Sequence, residues 1–142
     1  MKTDVEGSTM RQIVIVLALC LMAASCGNDD DPSLTGVWIG TEVDGEGEQW
    51  TFTFDATDAL AASEGTEIYD ATYLAFPDED PKRMETTITE SLFPPFVGLT
   101  AHAIYEFDGE TLIFASNEPG VAETPTQFVP GGGTRVWELT KQ

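Results

Sequence analysis

Strict alternation of apolar and polar side chains is the feature that most constrains the fold of this chain. In QWTFTFD, residues 49–55, the aromatic residues Trp50, Phe52 and Phe54 alternate with polar ones. A period of two places successive side chains on opposite faces of an extended strand, so it indicates a half-buried β-strand. The same pattern recurs in short segments from residue 36 to residue 139, which predicts an all-β fold.

Turn signals between these segments predict an antiparallel up-and-down meander. Asp108-Gly109 indicates a two-residue hairpin, because both residues accept a positive φ. TQFV (residues 126–129) and TRVWEL (residues 134–139) are predicted as the last two strands, and residues 55–63 as either a helix or a turn leading to a short strand. We therefore expect eight or nine strands that close into a barrel, with a β-sandwich as the alternative.

The first 25 residues of the chain predict where the protein is located in the cell. Residues 13–24, IVIVLALCLMAA, are uncharged and apolar, and they follow Met10-Arg11. This run is too short to span a bilayer but suits the core of a signal peptide. Asp4 and Glu6 fit a positive leader poorly, so we hypothesise that translation starts at Met10 and that the signal peptide ends at residue 25.

The segment Ala23-Ala24-Ser25-Cys26 resembles the lipobox of bacterial lipoproteins. That resemblance implies that the thiol of Cys26 is acylated and that Cys26 becomes the first mature residue, while ordinary cleavage near Ala-Ser is the alternative. Residues 26–33 are then an acidic tether, and residues 34–142 form the barrel domain. The expected location is the cell envelope, with the lipid in the outer membrane and the periplasmic or surface side left open.

The charge of the chain restricts its partners. It has 25 acidic and 6 basic residues and a net charge of −19. Phosphate recognition requires Lys and Arg, so nucleic acid is excluded as a partner, and adhesion to anionic lipid by charge is disfavoured as well. We predict no cofactor. Asp44, Glu46 and Glu48 are a weak candidate for a calcium site, but a solvated hairpin tip is the favoured interpretation.

Catalytic motifs are missing from the sequence, and we predict no catalytic residue. His102 is the only histidine, and no serine lies in a nucleophile-elbow motif, so we expect a structural or surface histidine. A hydrolase that uses two carboxylates is kept as the third functional hypothesis.

Two groups of apolar residues are candidates for binding. Aromatic residues on the predicted inward faces could line a pocket for a small apolar ligand, although side chains alone can fill an eight-stranded barrel, and for this length a filled core is favoured. The stretch around Pro94-Pro95 predicts either a plug over the barrel mouth or a contact loop. The pocket candidates are Trp50, Phe52, Phe54, Tyr69, Tyr73, Tyr105 and Phe107, and the loop candidates are Phe93, Phe96 and Val97.

Gly36-Val37-Trp38 near the start of the domain, together with Arg135 near its end, resembles the lipocalin superfamily. The resemblance implies that Gly36 and Trp38 lie on the first strand and that Arg135 stacks across the indole of Trp38. Such a cation–π contact is worth about 0.5–2 kcal/mol and would close the floor of the barrel.

A second resemblance is to a family of small lipocalin-like domains that is abundant in planctomycetes. It rests on Leu34 to Trp38, on AIYEFDGETLIFASNEPG (residues 103–120), on TPTQF (residues 124–128) and on the final VWELTK. Ala103, Glu110 and Thr124 replace the Gly, Asp and Arg of the family pattern. The family has no established activity, so the resemblance implies a fold and no reaction.

These observations lead to two main hypotheses. The first is a non-catalytic, lipid-anchored envelope domain that binds a small apolar ligand or an envelope partner. The second is an envelope inhibitor or structural interaction module with a filled core. A cavity large enough for a ligand separates the two.

Overall fold

The computed structural model describes residues 32–142, and these contain eight β-strands. The only helix in this range is a single 3-10 turn between β5 and β6, at Pro94–Phe96. The strands are β1 (Gly36–Glu42), β2 (Gln49–Phe54), β3 (Asp58–Ser63), β4 (Ile68–Phe76), β5 (Lys82–Ser91), β6 (Thr100–Asp108), β7 (Thr111–Asn117) and β8 (Thr134–Lys141).

Each strand pairs antiparallel with the next, and β1 pairs with β8, so the sheet closes into a lipocalin-like barrel. The all-β up-and-down fold is therefore confirmed, and the β-sandwich alternative is wrong. Residues 58–63 form β3, so the strand alternative for residues 55–63 is correct. Closure pairs every strand on both sides and removes the exposed edges of an open sheet.

The predicted strand at residues 126–129 is wrong. Phe128 lies in the long loop between β7 and β8 and packs on the outer wall of the barrel, against a small buried cluster of Ile104, Ala115 and Val136. The apolar residue that suggested a strand is thus partly buried by loop packing, without any ladder of hydrogen bonds. The hydrophobic effect rewards burial in either backbone conformation, so the sequence pattern does not separate the two.

The hairpin between β6 and β7 lies one residue later than predicted. Asp108 pairs with Thr111, so the two loop residues are Gly109 and Glu110. Gly109 alone takes a positive φ, of 61°, which a residue without a Cβ adopts without steric cost.

Because neighbouring strands run in opposite directions, successive connections lie at opposite ends of the barrel. The closed end carries the β2–β3, β4–β5 and β6–β7 turns together with residues 32–35 and the C terminus, and the open end carries the other four loops. The open-end loops are residues 43–48, 64–67, 92–99 and 118–133.

Residues 32–142 include no helix of the length and apolarity that crossing a membrane requires. Met10 and Cys26, with the predicted signal peptide and most of the tether, lie outside the described residues.

Candidate ligand cavity at the open end of the barrel

The closed end is sealed around Trp38, which has no exposed surface. Its indole Nε1 donates a hydrogen bond of 2.7 Å to the carbonyl of Leu34, and Phe107 packs on it with ring centroids 6.0 Å apart. Lys141 Nζ lies 5.4 Å from the centroid of the indole ring and donates a 2.9 Å hydrogen bond to the carbonyl of Ser33. The first and last strands are thereby tied together beneath the barrel.

The expected stacking of Arg135 on Trp38 is wrong, because Lys141 occupies that position. In the β1–β8 register Trp38 pairs with Lys141, whereas Arg135 lies at the opposite end of β8. Gly36 has a φ of 134°, and a Cβ built there would lie 2.8 Å from Lys141 Cε. Gly36 and Trp38 thus do lie at the closed floor, with a lysine as the cation.

The barrel interior contains a cavity of about 490 Å³, which reaches from the open end to Phe54 and Ala59 beside the β2–β3 turn. Large aromatic side chains from β2, β7 and β8 form one side of it, and the strands opposite contribute mostly alanine. Because an alanine fills far less of the interior than an aromatic residue, these positions leave the space empty. The lining includes Trp50, Phe52, Phe54, Phe114 and Trp137, with Ala59, Ala61, Ala71, Ala101 and Ile88.

The structure divides the predicted pocket residues into two groups. Trp50, Phe52, Phe54 and Tyr69 line the cavity. The other three lie outside it: Tyr105 is buried in the core, Phe107 packs on Trp38, and the Tyr73 hydroxyl donates to the carbonyl of Asp55 at the closed end. The favoured expectation of a filled core is thus wrong, because the side chains leave this cavity open. The inward alanines are the sequence signal that could have indicated a cavity.

An ion pair crosses the mouth of this cavity. Arg135 Nε and Nη2 donate to the two carboxylate oxygens of Glu42, over 2.9 Å and 2.7 Å, and Nη1 donates over 2.8 Å to Glu67. Glu67 directly precedes β4, and β4 lies opposite β8 in the eight-strand ring. We call Glu42, Arg135 and Glu67 the mouth latch. Sequence reasoning missed both glutamates, because they are 93 and 68 residues from Arg135.

The guanidinium of Arg135 also rests on the aromatic wall. Its Cζ lies 4.9 Å from the ring centroid of Trp50 and 5.1 Å from that of Trp137. The hydrogen bonds that Arg135 donates to the Glu42 carboxylate raise the pKa of Arg135 above its already high value, against the opposing effect of burial. Arg135 thus remains charged, and carboxylates and indole faces compensate that charge in place of water.

Tyr69 joins the latch from inside the cavity. Its hydroxyl donates to Glu67 over 3.3 Å. Burial raises the pKa of Tyr69, and the negative charge of Glu67 raises it further. The phenol therefore remains protonated at neutral pH and serves as a hydrogen-bond donor.

The predicted contact loop has one residue in the cavity and two outside it. Phe96 lines the cavity and lies 6.3 Å, centroid to centroid, from Tyr69. Phe93 packs edge-on against Phe96 but is 52% exposed, and Val97 is 47% exposed. The loop therefore serves in part as a plug and in part as an exposed apolar rim, which also includes Leu92.

The weak metal candidate is not formed. Within residues 32–142, no three His, Cys, Asp or Glu side chains come together closely enough to hold a metal ion, and this includes Asp44, Glu46 and Glu48. His102 lies on the outer wall, with Nδ1 3.9 Å from Glu85, and does not reach the cavity.

No protein-family model, curated protein or solved structure gives a significant match to this chain.

Proposed function

We propose that this protein is a lipid-anchored lipoprotein of the cell envelope whose lipocalin-like barrel binds a small apolar ligand. The cavity of about 490 Å³ carries the proposal. Ligand pockets commonly measure about 300–1,000 Å³ and combine apolar walls with a few polar groups that fix orientation. Aromatic and alanine side chains supply the walls here, and the mouth latch supplies the polar groups. We propose no catalytic role for the domain.

The path of the chain gives this proposal a geometry. Ser33 and Leu34 lie at the closed end, where Lys141 and Trp38 bind their carbonyl groups. A tether that continues toward an acylated Cys26 would leave the barrel from this end, so the mouth would face away from the membrane. Eight residues, 26–33, reach at most about 28 Å when extended. The ligand would then enter from the aqueous side.

The exposed rim of the mouth favours a second candidate function. Leu92, Phe93 and Val97 are all more than two-fifths exposed and lie together in the β5–β6 loop. Such a rim suits contact with an envelope partner that delivers or collects the ligand. A hydrolase is less well supported, because Glu42 and Glu67 are both bound to Arg135 in an arrangement typical of a structural ion pair.

Native mass spectrometry of the protein purified from its own host tests the binding proposal. We expect an added mass from a co-purifying small molecule, lost on denaturation. Ala61→Trp, in the cavity wall, should remove that mass. Leu74→Trp, at an exposed position on the outer wall, should not. An unmodified mass, together with no binding of apolar probes, would contradict the proposal.

The anchor is tested separately by labelling cells with radioactive palmitate. We expect label in the wild-type chain and none after Cys26→Ala. Label that persists in the variant would show that Cys26 is not the acylated residue.

A further inference from the structure

The basic side chains of the barrel are distributed unequally between its two ends. Of the four basic side chains in residues 32–142, Lys82, Arg83 and Lys141 lie at the closed end. Arg135 is the one basic residue at the open end, and the two latch carboxylates occupy its Nε, Nη1 and Nη2 atoms.

Negative charge is in excess at the mouth. Glu118 also lines the cavity and is exposed, so the mouth holds three carboxylates (Glu42, Glu67 and Glu118) against one guanidinium. The open-end loops add further acids, including Glu46, Glu48 and Glu64. A cleft with low-dielectric walls and charges of one sign concentrates that potential at its entrance.

From this distribution we propose that the cavity selects apolar molecules with a neutral or cationic polar end and rejects anionic ones such as fatty acids. The inference rests on the proposed function and gives it a ligand class. The apolar body of the ligand lies against Phe52, Phe54 and Phe114. Its polar end lies among the mouth carboxylates, where an ammonium or hydroxyl group donates hydrogen bonds to Glu118 or Glu67.

An anionic head group has no comparable position. To bind Arg135 it would have to displace Glu67, and the displaced carboxylate would remain close to the new negative charge. Like charges in a partly buried site repel one another strongly, and Glu67 would retain only its hydrogen bond from Tyr69. The latch therefore neutralises the single cation that a fatty acid would otherwise use.

Three probes with one chain length and different head groups test the inference. At pH 7 decylamine is cationic, decanol is neutral and decanoate is anionic, as expected from the pKa values of Lys and Glu side chains. The full chain with Cys26→Ala is used, so that no attached acyl group competes, and each probe is kept below its micelle concentration. Fluorescence of Trp50 and Trp137, which line the cavity, reports binding.

We expect decanol and decylamine to bind and decanoate to bind at least about tenfold more weakly, a difference of about 1.4 kcal/mol. Glu67→Gln should reduce the ratio of the decanol affinity to the decanoate affinity by about tenfold, because Arg135 then has one carboxylate partner fewer. Glu118 is exposed, so Glu118→Gln should not disturb folding. This variant should bind decylamine more weakly and decanol with unchanged affinity. Glu110→Gln, at the closed-end hairpin, is the matched control and should change neither preference.

Each alternative result has a distinct meaning. Decanoate binding as tightly as decanol would overturn the charge inference and leave the proposed function intact. Equal effects of Glu110→Gln and Glu118→Gln would also overturn it, because the preference would then come from the total charge of the protein. Failure of all three probes to bind would overturn the proposed function and the inference together.

Discussion

The closed end and the open end of the barrel use the same eight strands but differ in the side chains that face inward. At the closed end Trp38, Tyr105 and Leu139 fill the interior, and Lys141 covers the floor. At the open end, alanines on β3, β4 and β6 face a cavity, and an ion pair crosses the mouth. Strand number thus sets the diameter of a barrel, while the inward residues decide whether it is solid or hollow.

Truncating the tryptophan at each end should change the stability of the barrel most. Trp38→Ala should lower the free energy of unfolding by about 3–5 kcal/mol, because it opens a void in a filled region and leaves the Leu34 carbonyl unpaired. Trp50→Ala should cost less, since one side of Trp50 already borders the cavity. Urea unfolding of both variants checks this order. Equal losses would mean that the two ends are equally well packed.

The seam between β1 and β8 provides the next prediction. A Cβ at Gly40 would lie 1.8 Å from the carbonyl oxygen of Glu138, so Gly40→Ala must push the two strands apart. We expect a loss of about 1–3 kcal/mol in the free energy of unfolding. Gly65→Ala is the control: it replaces a glycine by alanine where no atom lies within 4 Å of the new Cβ, so it causes no steric clash. Gly65 has a positive φ, so alanine there introduces some backbone strain. The cost of the clash between β1 and β8 is therefore the loss in the free energy of unfolding for Gly40→Ala minus that for Gly65→Ala.

The β5–β6 loop contains one phenylalanine that lines the cavity and one that is half exposed, so the two roles of the loop can be tested separately. Phe96→Ala should enlarge the cavity and weaken binding of an uncharged apolar probe several-fold, because Phe96 lines it. Phe93→Ala should leave that affinity unchanged and alter stability by no more than about 0.5 kcal/mol, since the side chain is half exposed. Probe titration and thermal unfolding of the pair separate the plug from the rim. A larger loss of affinity for Phe93→Ala would place the ligand on the outside of the loop.

The smallest effect concerns the phenols at the two ends. Burial raises the pKa of both Tyr69 and Tyr73 above the usual value of about 10. Both phenols thus keep their protons in the folded chain at a pH where the unfolded chain releases them. Their contribution to stability is complete below about pH 10 and is lost as the pH rises through the folded pKa values.

Absorbance titration of the phenolates checks this expectation. Glu67→Gln should lower the pKa of Tyr69 and leave that of Tyr73 unchanged, because the nearby charges on Tyr73 are Asp55 and Asp58. An identical shift of both phenols would show that the effect of Glu67 is not local.

Alternation with period two is a local property, so the barrel and much of its strand order could be predicted from the sequence. The lipocalin resemblance implied that Trp38 lies at the floor, and the residues around Pro94-Pro95 predicted an apolar loop there. Trp50, Phe52, Phe54 and Tyr69 were predicted as pocket residues and do line the cavity. The tether, the anchor at Cys26 and the family resemblance remain predictions.

Which cation contacts Trp38 depends on how β1 and β8 pair in the folded barrel. Arg135 and Lys141 both face inward on β8, six residues apart, and either fits the sequence pattern. The β1–β8 register pairs Trp38 with Lys141 and brings Arg135 to the mouth, beside Glu42 and Glu67. The cavity was decided in the same way, because inward alanines from three strands leave a space only when barrel closure sets them opposite one another. Register and closure join residues far apart in the chain, and local periodicity carries no information about either.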